Sequence, residues 1–204
     1  HPGRTQRLYT VDHLRYLRDV AYPNRMDITR AREVGLLVFG NENDRQRELA
    51  IRDLQGVQNV RKGLGGKLRA LQDPGIFQQK VAEEGAFKAA VRADSSLRAE
   101  VGDAWDMIDR AQETARQINE IYTYLEAWPL GGSRLFDIAR DVVRLAEERG
   151  KPAGERLPEY AESNIPRVEL SLFSPAPIYP SLERFEIESG LALAAEALGG
   201  EHPA

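Results

Sequence analysis

Residues 44–72, DRQRELAIRDLQGVQNVRKGLGGKLRALQ, contain no proline and place Ala50, Leu54, Val57, Leu64, Leu68 and Leu71 at steps of three, four and seven. That spacing lines one face of a helix with apolar side chains. On nearly the opposite face, Gly56, Asn59, Gly63, Gly66 and Ala70 follow one another at steps of three and four, so this second face is almost bare. An interior glycine costs a helix about 1 kcal/mol relative to alanine; for Gly56, Gly63 and Gly66 together the loss is roughly 3 kcal/mol, which packing of the leucine stripe has to offset. Two readings account for it. Either another backbone approaches closely, or the face is a shallow trough for an extended ligand with Asn59 as its single polar anchor. An asparagine accepts from an ammonium through its carbonyl and donates through its amide, which suits the end of a peptide.

Outward from this helix, apolar residues recur every three to four positions and the two-residue alternation of half-buried strands is almost absent, which predicts an all-α chain. Thr10 is expected to cap a first helix with Val11, Leu14, Leu17 and Ala21 on one face, stopped at Pro23. A second runs from about Asn24 to Phe39, and Asn43 or Asp44 caps the glycine-bearing one. Asp73-Pro74-Gly75 breaks that helix and starts the next, to about Ala93. Asp94-Ser95-Ser96 caps a helix whose stripe includes Leu97, Val101, Trp105, Ile108, Ala115, Ile118 and Leu125. Read as unbroken to Trp128, it would be about 50 Å long. Pro129 to Ser133 ends it and caps a helix to Arg149, Lys151 to Pro180 is punctuated by prolines with a short helix near Val168 to Phe173, and a last helix spans about Leu182 to Leu198.

With 204 residues, 42% hydrophobic and 29% charged, the chain has the composition of a folded globular domain. It has no cysteine, which excludes disulfides, thiolate metal sites and cysteine nucleophiles, and only three histidines, His1, His13 and His202. The net charge of −4 is unevenly spread: residues 1–72 hold 14 Lys and Arg against 8 Asp and Glu, and residues 73–204 hold 14 against 24. The acidic remainder would repel a polyanion, so nucleic acid is not an expected partner. No apolar run reaches the 18 to 20 residues of a membrane span. The start at His1-Pro2-Gly3, with no initiator Met or targeting core, reads as a piece of a longer protein.

Motifs for chemistry are sparse. Gly131-Gly132-Ser133-Arg134-Leu135 lacks the closing glycine of a nucleophile elbow, and Ser133 reads as a helix cap. Asp103, Asp106, Asp109 and Glu113 recur at helical spacing and could offer oxygen ligands, but a solvated acidic face is the preferred reading, and no metal or other cofactor is expected. His13 has no second histidine at metal spacing and is expected to be exposed. Ser174-Pro175-Ala176-Pro177-Ile178-Tyr179-Pro180 predicts a stiff, extended connector, read first as a spacer, with presentation of Tyr179 as the alternative.

Several stretches together resemble the helical domain of serine peptidase family 46, the bacterial dipeptidyl-peptidases of the seven and eleven types. They are His1-Pro2-Gly3-Arg4-Thr5 with Arg7-Leu8-Tyr9-Thr10, Asp19-Val20-Ala21-Tyr22-Pro23, Gly56-Val57-Gln58-Asn59-Val60-Arg61-Lys62, Gly102-Asp103-Ala104-Trp105, and Phe173 to Pro180. The resemblance runs in order along essentially the whole chain. It implies that residues 1–204 are an irregular all-α domain of about seven to eight helices. This domain would be inserted as a cap on a chymotrypsin-like double β-barrel of the same parent chain, and that barrel would carry the Ser-His-Asp triad. Family members release dipeptides from free N-termini, and a helical-domain asparagine that aligns with Asn59 helps hold the substrate's α-amino group. The family is exported, to the periplasm or outside the cell, and many members are dimers.

These readings give a substrate-recognition cap with Asn59 as its substrate-binding residue, no catalytic residue and no metal site of its own, and therefore no hydrolytic activity alone. The rival is a stand-alone helical interaction module whose glycine face receives a partner helix.

Overall fold

The computed structural model describes residues 9–199, and every regular element among them is helical. His1 to Leu8 and Gly200 to Ala204, which include His1, His202 and most of the opening motif, lie outside the described residues. The helical segments are α1 (Val11–Tyr16), α2 (Tyr22–Asn41), α3 (Asp44–Gln72), α4 (Pro74–Ala93), α5 (Ser95–Val101), α6 (Ala104–Gln117), α7 (Asn119–Tyr122), α8 (Arg134–Arg149), α9 (Ile165–Leu172) and α10 (Pro180–Leu198). The expected all-α, irregular architecture is therefore what the chain adopts. It divides into two compact units, one of residues up to Val34 and Asp53–Glu120, the other of Gly35–Arg52 and the residues from Ile121 on.

The side chains marked as caps do cap, and Asp73, read only as part of a break and restart, joins them. Thr10 accepts from the His13 N–H at 3.2 Å, Asn43 from Gln46 at 2.9 Å, Asp73 from Ile76 at 3.0 Å, Asp94 from Ser96 and Leu97 at 2.8 and 3.1 Å, and Ser133 from Phe136 at 3.1 Å. Each satisfies an N–H that a helix start leaves without an intrahelical partner.

Two expectations fail, each for a definable reason. The helix begun at Val11 does not stop at Pro23. Residues Leu17–Ala21 form a π turn in which the Tyr22 N–H reaches back five residues to the Leu17 carbonyl, and the chain continues into α2. A π turn holds one more residue than an α turn, and the widening moves the preceding carbonyls out of the path of the proline ring. The long helix after Asp94 is interrupted at Gly102-Asp103 and again at Ile118, and it ends in a second π turn, Thr123–Ala127. At the first break a Cβ on residue 102 would stand 2.4 Å from the Arg98 carbonyl oxygen, so glycine is required there. Leu97, Ile108 and Ile118, predicted on one stripe, are exposed.

In the first unit α1 is tied to the segments that follow it. Glu84 accepts from the Val11 N–H, Arg116 reaches both Asp12 carboxylate oxygens at 3.0 Å, and the Tyr16 hydroxyl donates to buried Asn119 at 3.0 Å. Val11, Met26, Ile28, Val57, Leu64 and Val91 are its buried apolar residues. Arg61 of α3 pairs with Glu33 of α2.

In the second unit, Phe39 stacks on Phe185 at 5.1 Å beside fully buried Leu36. Leu145, Tyr160, Ile165 and Val168 form a cluster against which Leu172 packs. Glu148, itself buried, accepts from the Leu157 N–H at 2.7 Å and pairs with Lys151, pinning the proline-punctuated segment to α8; both contacts hold its carboxyl below the usual range. α10 crosses the turn Pro129–Gly132 so closely that a Cβ on Gly190 would lie 2.4 Å from the Leu130 carbonyl carbon. That turn holds Leu130 at φ 41°, a left-handed conformation rare outside glycine.

Candidate functional site

Helix α3 divides its residues as the periodicity required. Val57 and Leu64 are buried and Leu54, Leu68 and Leu71 half-buried, while Gly56, Asn59, Gly63, Gly66 and Ala70 are all exposed. The glycines separate the two explanations for their presence. A Cβ placed on Gly56, Gly63 or Gly66 would meet nothing within 4 Å, so no backbone or side chain of the described residues lies against this face. Gly65 faces the other way: its Cβ would touch Met26 of α2 at 3.7 Å. The open face is a floor of peptide backbone with one carboxamide, that of Asn59, standing on it.

The remaining candidates resolve as structural. Ser133 is fully buried, its hydroxyl donates to Glu183 at 2.6 Å, and it accepts from the Phe136 N–H. Glu183 also accepts from the Leu135 N–H at 3.0 Å, so serine and glutamate close the start of α8 together. Sealed from solvent and engaged with backbone N–H groups, this pair is a cap and not a nucleophile with its base. Asp103, Asp106 and Glu113 are exposed and Asp109 half-buried; Glu113 pairs with Arg116 at 3.4 Å, and no group of three or more metal-ligating side chains occurs among the described residues. His13 is not exposed as expected. It lies between Tyr9 and Tyr16, with ring centroids at 4.3 and 6.3 Å, and burial lowers its pKa, with Asp12 opposing. The connector from Ser174 is extended and is fixed by Arg134, which donates to the Ala176 and Ser174 carbonyls at 2.6 and 3.2 Å; Tyr179 lies under Arg45 at 5.6 Å rather than standing free.

One feature was not foreseen. A cavity of about 360 Å³ in the first unit is lined by Tyr9, Thr10, Phe87, Val101, Trp105 and Ile108, together with Glu83 and Glu84. Phe87 meets Trp105 edge to face at 5.5 Å, and Lys88, paired with Glu84 at 2.6 Å, lies over the Trp105 ring. The turn at Gly102 sets Trp105 in this position. Its lining comes from three separate stretches of chain, which no local spacing signals.

The model of the Peptidase S46 family matches residues 1–204. No curated protein and no solved structure matches the chain. No helix of the described residues is long and apolar enough to cross a membrane.

Proposed function

The chain belongs to the peptidase S46 family, a family of hydrolases, and on that premise we propose that it is the substrate-recognition cap of a serine dipeptidyl aminopeptidase. In this reading the catalytic barrel is contributed by the rest of the parent chain, the substrate is a peptide with a free N-terminus, and the enzyme works in the periplasm or outside the cell. Asn59 holds the leading ammonium. The observation that supports it is the exposure of Asn59 on an uncovered glycine floor, because a structural glycine face would be filled by a neighbouring backbone and this one is not.

The chemistry asked of Asn59 is positional. Its carbonyl oxygen accepts one ammonium N–H, the bare backbone beside it leaves room for the peptide, and fixing the leading end fixes how many residues reach the nucleophile. Dipeptide release then follows from the distance between this anchor and the nucleophile. The Ser133 hydroxyl meets the Glu183 carboxylate but is fully buried and caps α8, out of reach of a substrate, so hydrolysis is expected to need the barrel.

The test is Asn59→Ala in the full-length enzyme. Loss of a hydrogen bond to a charged amine corresponds to about 1.5 to 3 kcal/mol, a fall of roughly ten- to hundredfold in kcat/KM for substrates with free N-termini. An unchanged value removes Asn59 from the site. The 204-residue chain alone should release no dipeptide from a chromogenic substrate, and release would overturn its reading as a cap.

A further inference from the structure

The cavity beside Trp105 is a pocket for which the reading of Asn59 has no use. One wall is a single face of α4, from Lys80 to Phe87, and the other is the start of α6, where Trp105 and Ile108 stand. Tyr9 and Thr10 close it just ahead of α1. Its walls are held in place within the chain. Phe87 and Trp105 meet edge to face, and Glu84 ties the start of α1 to α4 by accepting from the Val11 N–H. A pocket already ordered in this way loses little affinity to rearrangement when a ligand enters.

Charge and hydrogen bonding decide what fits. Each ionised group on the walls already has a counter-charge: Lys80 pairs with Glu83 at 2.7 Å, and Glu84 pairs at 2.6 Å with Lys88, which lies over the Trp105 ring. A charged occupant would lose its hydration among apolar side chains and meet no free counter-ion, so the pocket is complementary to a neutral one. One donor is left over. Trp105 is half-buried and its indole N–H donates to no described residue, although such a group ordinarily finds an acceptor once it is covered. Size sets the rest. A cavity of about 150 Å³ suffices for a benzene ring, so about 360 Å³ holds one ring with its substituents. The α4 wall from Lys80 to Phe87 is about 10 Å long, the span of a small molecule rather than of a partner's helix. Phe87 is 55% exposed, so the pocket can be entered from solvent past its ring.

We propose that this pocket binds a neutral small molecule made of one ring-sized apolar body and a carbonyl oxygen. The body lies against Phe87, Trp105 and Ile108, and the oxygen accepts from the Trp105 N–H. The site is separate from the peptide anchor, because none of its described lining comes from α3, and it stands whether or not Asn59 holds a substrate.

The experiment titrates the full-length enzyme in a calorimeter with three probes that share a phenyl ring: neutral N-acetylphenylalanine amide, anionic N-acetylphenylalanine and cationic phenethyltrimethylammonium. None has a free amine for the Asn59 anchor. The neutral probe should bind with Kd below about 1 mM, and both charged probes at least about tenfold more weakly. Ala104→Leu, which puts a larger side chain into the pocket, should weaken the neutral probe at least about tenfold. Trp105→Phe keeps an aromatic ring but loses the donor, and should weaken it by roughly three- to tenfold. Both variants should hydrolyse a dipeptidyl chromogenic substrate at the wild-type rate, which shows that they fold and that the pocket lies apart from the chemistry. No binding of the neutral probe, equal affinity for all three probes, or an affinity that both variants leave unchanged would overturn the site.

Discussion

The hydroxyl of Ser133 donates to Glu183 at 2.6 Å, with both side chains buried and both also bonded to backbone N–H groups at the start of α8. This pair joins α8 to α10 within the second unit. Ser133→Ala removes a helix cap and one partner of a buried carboxyl group, and should lower stability by about 1 to 3 kcal/mol in denaturant unfolding. Peptidase activity per folded full-length molecule should be unchanged, and a large loss would make Ser133 more than a cap.

Gly63→Ala should act in opposite directions on stability and function. Its Cβ meets nothing within 4 Å, so an alanine there stabilises the helix by up to about 1 kcal/mol and raises the melting temperature. The same methyl group stands on the floor beside Asn59 and should lower kcat/KM for peptides in the full-length enzyme. A variant both more stable and equally active would mean that nothing rests on this face.

Gly190→Ala is the contrast. Its Cβ would lie 2.4 Å from the Leu130 carbonyl carbon and 2.6 Å from the Gly131 nitrogen, backbone atoms that cannot swing aside. The substitution should destabilise by several times the alanine gain at Gly63, at least about 2 kcal/mol. Equal melting temperatures for the Gly190 variant and the wild type would show that α10 and the turn are not so closely packed in solution.

Tyr160 gives an alkaline signature. Burial, reinforced by its hydrogen bond to Asp141 at 2.9 Å, pushes its hydroxyl up to about 12. The unfolded tyrosine loses its proton near pH 10, so between about pH 10 and 12 the folded chain holds the extra proton and stability falls as pH rises. Tyr160→Phe should flatten that part of the stability–pH curve while lowering stability near neutrality, where the bond to Asp141 is lost. An unaltered alkaline slope would assign the titration to another group.

Much of this was legible in the sequence because it is local. The caps at Asn43, Asp94 and Ser133 are read from one side chain and the residues just after it, and the two faces of α3 follow from spacing alone. The exposure of Asn59 was implied by the same periodicity. What spacing could not show was decided at a distance. The apolar pattern runs across Gly102 without interruption, yet the helix breaks there and Trp105 packs edge-on against Phe87, eighteen residues earlier in the chain. Pro23 is a strong stop signal, and only the extra residue of the π turn lets the helix pass it. The cavity beside Trp105 draws on Tyr9, Phe87 and Trp105, a grouping that exists only once α1, α4 and α6 have met.

The π turn at Leu17–Ala21 also sets the phase of everything upstream of it. Because it counts one residue more than an ordinary turn, deleting a single position within it would rotate α1 by about 100° about its own axis. Asp12 would turn away from Arg116, Tyr16 from Asn119, and the first N–H of the helix from Glu84. The surplus residue therefore behaves as a keyway: of the possible rotations of the leading segment, it leaves available the one in which all three attachments engage together.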